Sequence, residues 1–482
     1  MLAEMFMHAT AEDQDASDLH IPMHFHFVLS QVCGLWRAVA LHTPSMWRRV
    51  VLHLQNRVTG FGSITRLART CFERSCELPL ELVITSSIST ATSIPNLSMD
   101  LVLPVRHRIR HLELRLPVVF TESIFKLPRN SLKALKSISI SALVSGGDIG
   151  SWFRSMSGLE GAPLLDTVKF SCVHPPGSLD QWRETEFRFD PYVAGLPWAQ
   201  LTGLALKDLE IRCDDALYAL EMATSLVRCT VDLRIIPPLE PVVAFTNGPV
   251  AHTTTSDPEP PKPKKPITLP ALLVFEVAVS GTDNAPADFF DRLVLPSLVE
   301  LSIKYKDVQT LPCATLTDLQ KRSSFSLERF VLAGRMGDSL VPFFQSNPHI
   351  CRLQLVFCAL ELMPLAAAFA RKDGGEALLP CLRTLTLADR WAEETPPATW
   401  AAATKAVVEM ARSRWRVQAG SADARLEAFT FGSRAALSAK KTARINRCRE
   451  DGMRVRTMTV LPQRAHLVRV DYINMILLLD ES

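Results

Sequence analysis

The sequence predicts an α/β fold in which a short helical motif at the N-terminus precedes an open parallel sheet that is built from repeated units and curved into an arc. A pattern of the form L-x-x-[LVF]-x-[LIF] recurs along most of the chain, with 23 to 46 residues between successive copies from residue 140 onward. Segments with helical apolar spacing lie between several copies. A third observation is an apolar stripe near the N-terminus that ends in a turn containing tryptophan.

The N-terminal motif is centred on that stripe. Val28, Leu29, Val32, Cys33 and Trp36 occupy positions i, i+1, i+4, i+5 and i+8, which places them on one side of a helix about three turns long. The chain upstream offers only a short partner helix, so either the rest of the protein or a second chain must cover the stripe. A helix hairpin that packs on its own C-terminal domain is the alternative.

The same region resembles an F-box, whose pattern reads roughly V-C-x-x-W-R-x-[IVL]-A-x-x-x-P-x-L-W. The matching residues are Val32, Cys33, Trp36, Arg37, Val39, Ala40, Pro44 and Trp47, and Met46 replaces the usual leucine. Residues 1–9 resemble the part of the first F-box helix that comes after its Leu-Pro-x-Glu entry, and the entry itself is missing. The resemblance implies docking onto a Skp-type adaptor of a cullin-based ubiquitin ligase. The residues that it implies in adaptor binding are Leu2, Met5, Phe6, Val28, Leu29, Val32, Cys33, Trp36, Pro44 and Trp47. Of these, we expect Trp36 to anchor the helices, and Leu29 to be more exposed and to matter mainly for docking.

The next element links this motif to the sheet. Residues 63–76 have the spacing of a helix, with Ile64, Leu67 and Cys71 on one face, and residues 77–84 come next as a strand. The stretch from Ser75 to Leu82 resembles the S-x-x-x-P-L-x-L strand that comes after the F-box in large families of fungal F-box proteins. The chain therefore resembles an F-box protein of the fungal, basidiomycete-like type, and this strand would be the first unit of the sheet.

The repeated pattern defines the rest of the chain. Its full copies begin at Leu165, Leu201, Leu298, Leu327, Leu382 and Leu426, and its looser copies begin at Leu112, Leu135, Leu226, Leu273 and Leu353. Some of the spacings lie within the range of about 20–29 residues that leucine-rich repeats have, and several are longer. The pattern resembles an irregular leucine-rich repeat solenoid. The predicted domains are an F-box-like motif at 1–55 and a leucine-rich-repeat-like domain at 56–482, with a Pro-rich disordered insertion at about 250–268.

The geometry of a strand explains the pattern. The last two apolar positions alternate along the strand and point to one face, while the first leucine enters the core from the preceding turn. We therefore expect Leu301, Ile303, Leu385 and Leu387 to be buried, and Ser302, Lys304, Thr384 and Thr386 to be exposed on the concave face. Helices are predicted at 214–225, 285–293, 339–345, 361–372 and 397–415. A closed α/β sheet is the alternative architecture.

Composition excludes several classes of partner. The 53 basic and 50 acidic residues leave a net charge of +3, so no long-range field favours nucleic acid or an anionic membrane. No apolar run approaches the length of a membrane span, and no secretory leader is recognisable. The 11 cysteines are scattered without a C-x-x-C pair, which indicates buried, reduced thiols. We expect a cytoplasmic or nuclear protein that is monomeric outside a ligase complex.

The sequence contains no convincing catalytic pattern. It lacks a Walker loop, G-x-G-x-x-G, G-x-S-x-G and H-E-x-x-H, and we expect no cofactor and no metal. His20, His24 and His26 are interpreted as part of a polar loop. Pro260-x-x-Pro263 matches the pattern of an SH3 ligand, and the lysines beside it match a weak nuclear signal. The simpler interpretation, which we prefer, is a flexible insertion. The predicted function is a non-catalytic substrate receptor that binds an unknown target protein. The alternatives are a scaffold whose F-box remnant caps the solenoid and, third, an enzyme.

Overall fold

A computed structural model describes most of the chain. The described residues are 2–6, 25–54, 61–86, 101–117, 120–121, 124, 127–143, 157–173, 191, 194–235, 265–281, 285–305, 310–311, 313–336, 339–357, 359–371, 378–389, 397–416, 424–433, 439–450 and 452–459. They divide into two compact units. Of the described residues, unit 1 comprises those within 2–211 and 218–232, and unit 2 comprises those within 212–217 and 233–459.

Unit 1 begins with helices and continues as a parallel sheet. Its helices are α1 (residues 2–6), α2 (Phe25–Val32), α3 (Gly34–Leu41), α4 (Phe61–Arg74) and the single turn α5 (Ser157–Glu160), with 3₁₀ segments at Pro44–Trp47, Leu103–Val105 and Trp198–Gln200. Its strands are β1 (Arg49–Leu54), β2 (Leu80–Ser86), β3 (Ile109–Pro117), β4 (Ser137–Leu143), β5 (Thr167–Val173), β6 (Gly203–Ile211) and β7 (Arg228–Ile235), whose last residues belong to unit 2. Helix α6 (Cys213–Met222) has residues in both units.

The strands of unit 1 pair in chain order, and the pairs from β1 to β6 are parallel. The apolar positions are in register from strand to strand: Val50, Leu82, Leu112, Ile138, Val168 and Leu204 form one row, and Leu52, Ile84, Leu114, Ile140, Phe170 and Leu206 form the next. All twelve side chains are buried. Each strand from β1 to β6 therefore contributes two core residues, as the pattern predicted for its copies. We expected the strand at 77–84 to be the first unit of the sheet, and this was wrong, because β1 precedes it and pairs with β2 in parallel.

Arg108 organises the junction between α4 and β2. Its guanidinium donates hydrogen bonds to the carbonyl oxygens of Phe72 (3.3 Å) and Leu78 (2.9 Å) and to Oγ of Ser75 (2.7 Å). Ser75 is completely buried, and Oγ donates in turn to the Phe72 carbonyl. Carbonyls at the C-terminus of a helix lack partners within the helix, so these bonds explain why the S-x-x-x-P-L-x-L stretch begins with a buried serine.

Unit 2 repeats the strand-and-helix arrangement. The strands of its main sheet are β9 (Val274–Gly281), β11 (Glu300–Tyr305), β13 (Arg329–Ala333), β15 (Arg352–Phe357), β16 (Thr384–Asp389), β17 (Ala428–Ser433) and β18 (Arg454–Thr459). Two short parallel pairs join β8 (Ile267–Thr268) to β10 (Leu293–Val294) and β12 (Thr310–Leu311) to β14 (Arg335–Met336). The helices are α7 (Ala285–Asp291), α8 (Cys313–Ser323), α9 (Val341–Gln345), α10 (Ala359–Phe369), α11 (Pro397–Trp415) and α12 (Ala439–Glu450).

Aromatic residues join the sheet of unit 2 to its helices. Phe330 on β13 lies 5.0 Å, between ring centroids, from Phe343 on α9, and Phe344 lies 5.3 Å from Phe369 on α10. Leu301, Ile303, Leu385 and Leu387 are buried, as predicted. The main-sheet strands again pair in parallel and in chain order, so both units are mixed α/β with an open parallel sheet.

Several boundaries differ from the sequence prediction. The copy that we began at Leu273 begins one residue earlier, because Leu272 is fully buried whereas Leu273 is 41% exposed. Ile350 is the buried first position that precedes β15. All five predicted helices are present with small shifts, while α8 and α12 were not predicted. The Pro-rich insertion lies almost entirely outside the described residues.

Candidate interaction surfaces

Trp47 anchors the N-terminal helices. It is completely buried, and its indole N–H donates a hydrogen bond of 2.8 Å to the carbonyl of Ala40 at the end of α3. Its ring meets Phe27 of α2 edge-to-face at 5.1 Å, and the guanidinium carbon of Arg74 on α4 lies 4.4 Å from the ring centroid. A single side chain thus contacts three helices, so this F-box-like tryptophan has a structural role.

Trp36 makes a smaller contact. It is half-buried, and its ring lies 5.0 Å from that of Phe6, so it holds α1 against α3. Cys33 precedes α3 as its N-cap, with Sγ 3.5 Å from the Trp36 backbone nitrogen. The aromatic pair explains how the short segment 2–6 is retained next to the longer helices.

The structure separates the ten predicted adaptor-binding residues by exposure. Met5, Val32 and Cys33 are exposed; Leu2, Val28, Trp36 and Pro44 are half-buried; Phe6, Leu29 and Trp47 are buried. We expected Leu29 to be more exposed than Trp36, and this was wrong, because Leu29 is 5% exposed whereas Trp36 is half-buried. The single helix predicted for the stripe was also wrong, because α2 ends at Val32 and the extended Cys33 separates it from α3. The stripe is partly a core of unit 1, because α2 and α3 pack against each other and Trp47 packs on α2.

The remaining exposed apolar side chains form what we call the N-terminal patch, namely Met5, Val32 and Leu35. Their exposed fractions are 60%, 57% and 68%. Met5 and Leu35 directly precede Phe6 and Trp36 in the chain, so the Phe6–Trp36 ring contact brings the backbone at Met5 close to that at Leu35. Val32 is the last residue of α2 and directly precedes Cys33, the N-cap of α3. Leu35 was missed because the sequence argument counted only the stripe residues. Large apolar side chains exposed together mark a surface that a second molecule covers.

The second candidate surface is the face of the unit 1 sheet that lies opposite the apolar core rows. Its three rows are Arg49, Glu81, His111, Ser137, Thr167 and Gly203; Val51, Val83, Glu113, Ser139, Lys169 and Ala205; and His53, Thr85, Arg115, Ser141, Ser171 and Lys207. None of these eighteen residues is buried. We call this surface the open face of unit 1.

Cross-strand hydrogen bonds order the polar side chains of this open face. Nδ1 of His53 lies 2.8 Å from Oγ1 of Thr85, and Nδ1 of His111 lies 2.7 Å from Oγ of Ser137. These two histidine contacts join neighbouring strands, whereas the 2.8 Å bond that Arg115 donates to a Glu113 carboxylate oxygen lies within β3. Such pairs between neighbouring strands hold a polar surface in a defined arrangement, which is a property that recognition of a partner requires.

The equivalent face of unit 2 is different. Ser302 and Thr386, which we expected to be exposed, are only 8% and 6% exposed, so this prediction was wrong. Val331 lies on the same face of β13, the strand between β11 and β15, and is 4% exposed. The reason is visible in the continuous apolar run at 330–333, which is typical of strands buried on both faces and not of strands with one solvated face. Lys304 and Thr384 are half-buried.

A charged row remains accessible at one end of these unit 2 strands. Glu300 on β11 accepts a hydrogen bond from Arg352 at 3.0 Å and lies 3.7 Å from Arg329. Arg383 and Glu427 form a further pair at 3.0 Å. Because their charges are mutually paired and partly solvated, each contributes little to stability, and the row offers no concentrated charge to a partner.

Three thiols of the described residues have raised pKa values. Burial raises the pKa of Cys71 to about 12, despite the opposing effect of Arg74, and raises the pKa of Cys213 to about 11, with Asp214 and Asp288 adding to the effect. Burial, with Asp208 nearby, also raises the pKa of Cys172 above its usual range. A nucleophilic cysteine requires the opposite shift. Cys71 and Cys172 are therefore unactivated core residues, and Cys213 is half-buried and unactivated.

Further features of the described residues bear on the sequence predictions. No group of three or more His, Cys, Asp or Glu side chains among them has a metal-binding arrangement. His26 lies on α2 and not in a loop, while His20 and His24 lie outside the described part. No helix of the described part combines the length and apolar character needed to cross a membrane.

The fold and these surfaces define a class of protein, an α/β repeat protein with an open parallel sheet and an exposed N-terminal apolar patch. Comparison with models of known protein families gives no match for the chain. Comparison with curated proteins also gives no match.

Proposed function

We propose that this chain is a non-catalytic substrate-receptor subunit of a Skp/cullin/F-box ubiquitin ligase, active in the cytoplasm or nucleus. The N-terminal patch would dock onto a Skp-type adaptor, and the open face of unit 1 would bind a target protein. Transfer of ubiquitin would occur on other subunits, while this chain would raise the local concentration of the target.

The observation that carries the proposal is the exposure of Met5, Val32 and Leu35 on helices whose sequence resembles an F-box. Covering one such side chain contributes about 1–2 kcal/mol, given that roughly two thirds of each is still exposed. Three together supply a useful fraction of the energy of a stable complex. Their position on α1, α2 and α3 leaves the sheet free for a second partner.

The experiment measures binding of the purified chain to a purified Skp-type adaptor by biolayer interferometry. The double substitution Val32→Asp/Leu35→Asp should weaken binding at least 100-fold, because it removes two apolar contacts and places carboxylates in the interface. Leu164→Asp is the matched control, since Leu164 is 52% exposed elsewhere in unit 1. Absence of any adaptor binding by the unaltered chain would eliminate the ligase-receptor proposal.

A scaffold function is the second candidate, and a specific observation favours it. Phe6, Leu29 and Trp47 are buried within unit 1, so part of the N-terminal helical motif belongs to the core of that unit. In that case the helices serve as a cap, and the sheet alone mediates interactions. Under the scaffold proposal the chain should bind its protein partner while showing no affinity for the adaptor.

A further inference from the structure

The part of the open face formed by β4, β5 and β6 has an uneven distribution of charge. Lys169 and Lys207 are both exposed, and neither forms an ion pair with a described residue. No acidic residue lies in the three rows on these strands. The nearest carboxylate in those rows is that of Glu113 on β3, which Arg115 already pairs at 2.8 Å. Two cationic side chains therefore remain available to an anionic partner.

Other carboxylates lie close to this region and have separate roles. Asp166, just before β5, accepts a hydrogen bond from the hydroxyl of Thr167 at 2.9 Å. Asp232 on β7 accepts the backbone N–H of Asp208 at 2.7 Å, where β6 takes a left-handed conformation directly after Lys207. These bonds hold the two carboxylates in place, and neither bond joins a carboxylate to a lysine amine.

Hydroxyl groups lie between the two lysines. Ser171 is the register partner of both Ser141 and Lys207, and Ser139 is the partner of Lys169. The Oγ atoms of Ser141 and Ser171 are 2.8 Å apart. A hydroxyl can donate to a carboxylate while it also accepts from its neighbour. The serines thus provide donors beside the cationic groups, as a site for an anionic side chain needs.

An apolar contact point lies at the other end of the same strands. Val173, which ends β5, is 44% exposed, and its register partner Leu143 is half-buried. At about 3.3 Å per residue, Val173 lies roughly 13 Å along β5 from Lys169. The surface therefore has a cationic, a hydroxyl and an apolar zone in a line along the strands. An extended segment of about five residues would span this line.

We propose that the β4–β6 part of this face binds an extended acidic segment of a target protein, with an apolar side chain of that segment on Leu143 and Val173. Its carboxylates would lie at Lys169 and Lys207, next to the serine hydroxyls. This inference rests on the proposed function, in which the face binds the target. It commits to a peptide with acidic and apolar residues, because the unpaired charge is positive and the adjoining zone is apolar.

The test uses a fluorescein-labelled peptide Gly-Ser-Glu-Asp-Glu-Ser-Gly-Leu-Leu-Ser and fluorescence anisotropy with the full chain. We expect saturable binding that weakens at least tenfold between 50 and 500 mM salt. Lys169→Glu/Lys207→Glu should weaken binding at least tenfold. Lys133→Glu/Lys405→Glu, which changes the same net charge at exposed positions outside the face, should change it less than twofold.

Two peptide controls test the two zones. Replacing the acidic residues of the peptide by lysine should abolish binding. Replacing both leucines of the peptide by serine should weaken its binding to the unaltered chain several-fold. The same replacement should not weaken binding to the Val173→Ser variant. The proposal is overturned if the lysine peptide binds equally well, or if the control pair of substitutions weakens binding as much as Lys169→Glu/Lys207→Glu. Circular dichroism establishes that each variant is folded.

Adaptor binding of the same variants separates this inference from the proposed function. Lys169→Glu/Lys207→Glu should retain full adaptor affinity, and Val32→Asp/Leu35→Asp should retain peptide affinity, because the two surfaces use different residues. Peptide binding without adaptor binding would refute the ligase role and leave the acidic-segment site intact. Adaptor binding without peptide binding would refute the site alone.

Discussion

Replacement of Trp47 by alanine should destabilise the N-terminal part of unit 1 more than any other single change among its helices. Removal of a fully buried indole costs about 3–5 kcal/mol, and the unpaired Ala40 carbonyl adds about 1 kcal/mol. Loss of the Arg74 contact, about 0.5–1 kcal/mol, brings the total to about 4.5–7 kcal/mol. A change of this size approaches the whole stability of many domains.

Hydrogen exchange measured by mass spectrometry reports this effect locally, in peptides that cover α2, α3 and β1. Trp47→Ala should lower protection there by at least 100-fold, while Trp47→Phe, which keeps a ring near Phe27, should lose about 1–2 kcal/mol. Trp36→Ala should affect mainly segment 2–6, because its ring contact is with Phe6. A larger loss for Trp36→Ala than for Trp47→Ala, or unchanged protection in Trp47→Ala, would refute the assignment of Trp47 as the anchor.

Three other predictions concern the core, the α4–β2 junction and the thiols. Leu385→Ala should lower the free energy of unfolding by about 2–5 kcal/mol in urea titrations, because Leu385 is fully buried; a loss below about 1 kcal/mol would contradict its place in the core. Arg108→Leu should cost about 3 kcal/mol in the same assay, since it leaves the Phe72 and Leu78 carbonyls without donors, and equal stability of the variant would show that those bonds contribute nothing. Iodoacetamide at pH 8 should modify exposed Cys33 well before Cys71. Folding raises the pKa of Cys71 from 9.0 to about 12, so its contribution to stability is present below pH 9 and is lost as pH rises toward 12. If the free energy of unfolding had the same pH dependence in the unaltered chain and in Cys71→Ala across that range, this prediction would be wrong.

The strands were predictable because each depends on a local rule. A buried residue three positions before the first strand core residue, together with two alternating core residues, is sufficient to place β5, β6, β11, β13, β16 and β17. One copy was misplaced by a residue, because we began it at Leu273, two positions before Phe275, although the rule selects Leu272, three positions before it. The packing agrees with the rule, since Leu272 is buried and Leu273 is 41% exposed.

The accessibility of surfaces was less predictable, because it depends on contacts between distant segments. Nothing in the order of residues near Leu29 indicates that it is buried, or that Leu35 is the most exposed apolar residue of the N-terminal patch. The exposure of Ser302 and Thr386 was predicted from their alternation with the core residues along each strand, while both strand faces of unit 2 are buried near Val331. Polar character indicates solvent only where the neighbouring residues on that face are polar too, as Ser139 and Ser141 are in unit 1.

The in-register, nearest-neighbour pairing of the strands has a mechanical consequence. Because each strand from β2 to β5 bonds only to the strands before and after it in the chain, a pulling force along the chain would detach the edge strand β1 without breaking the other pairs of unit 1. The interval from Phe170 to Leu206 is 36 residues, which would extend by roughly 120 Å when released. We therefore expect a force–extension trace with a series of unequal steps, whose lengths report the spacing of the repeats.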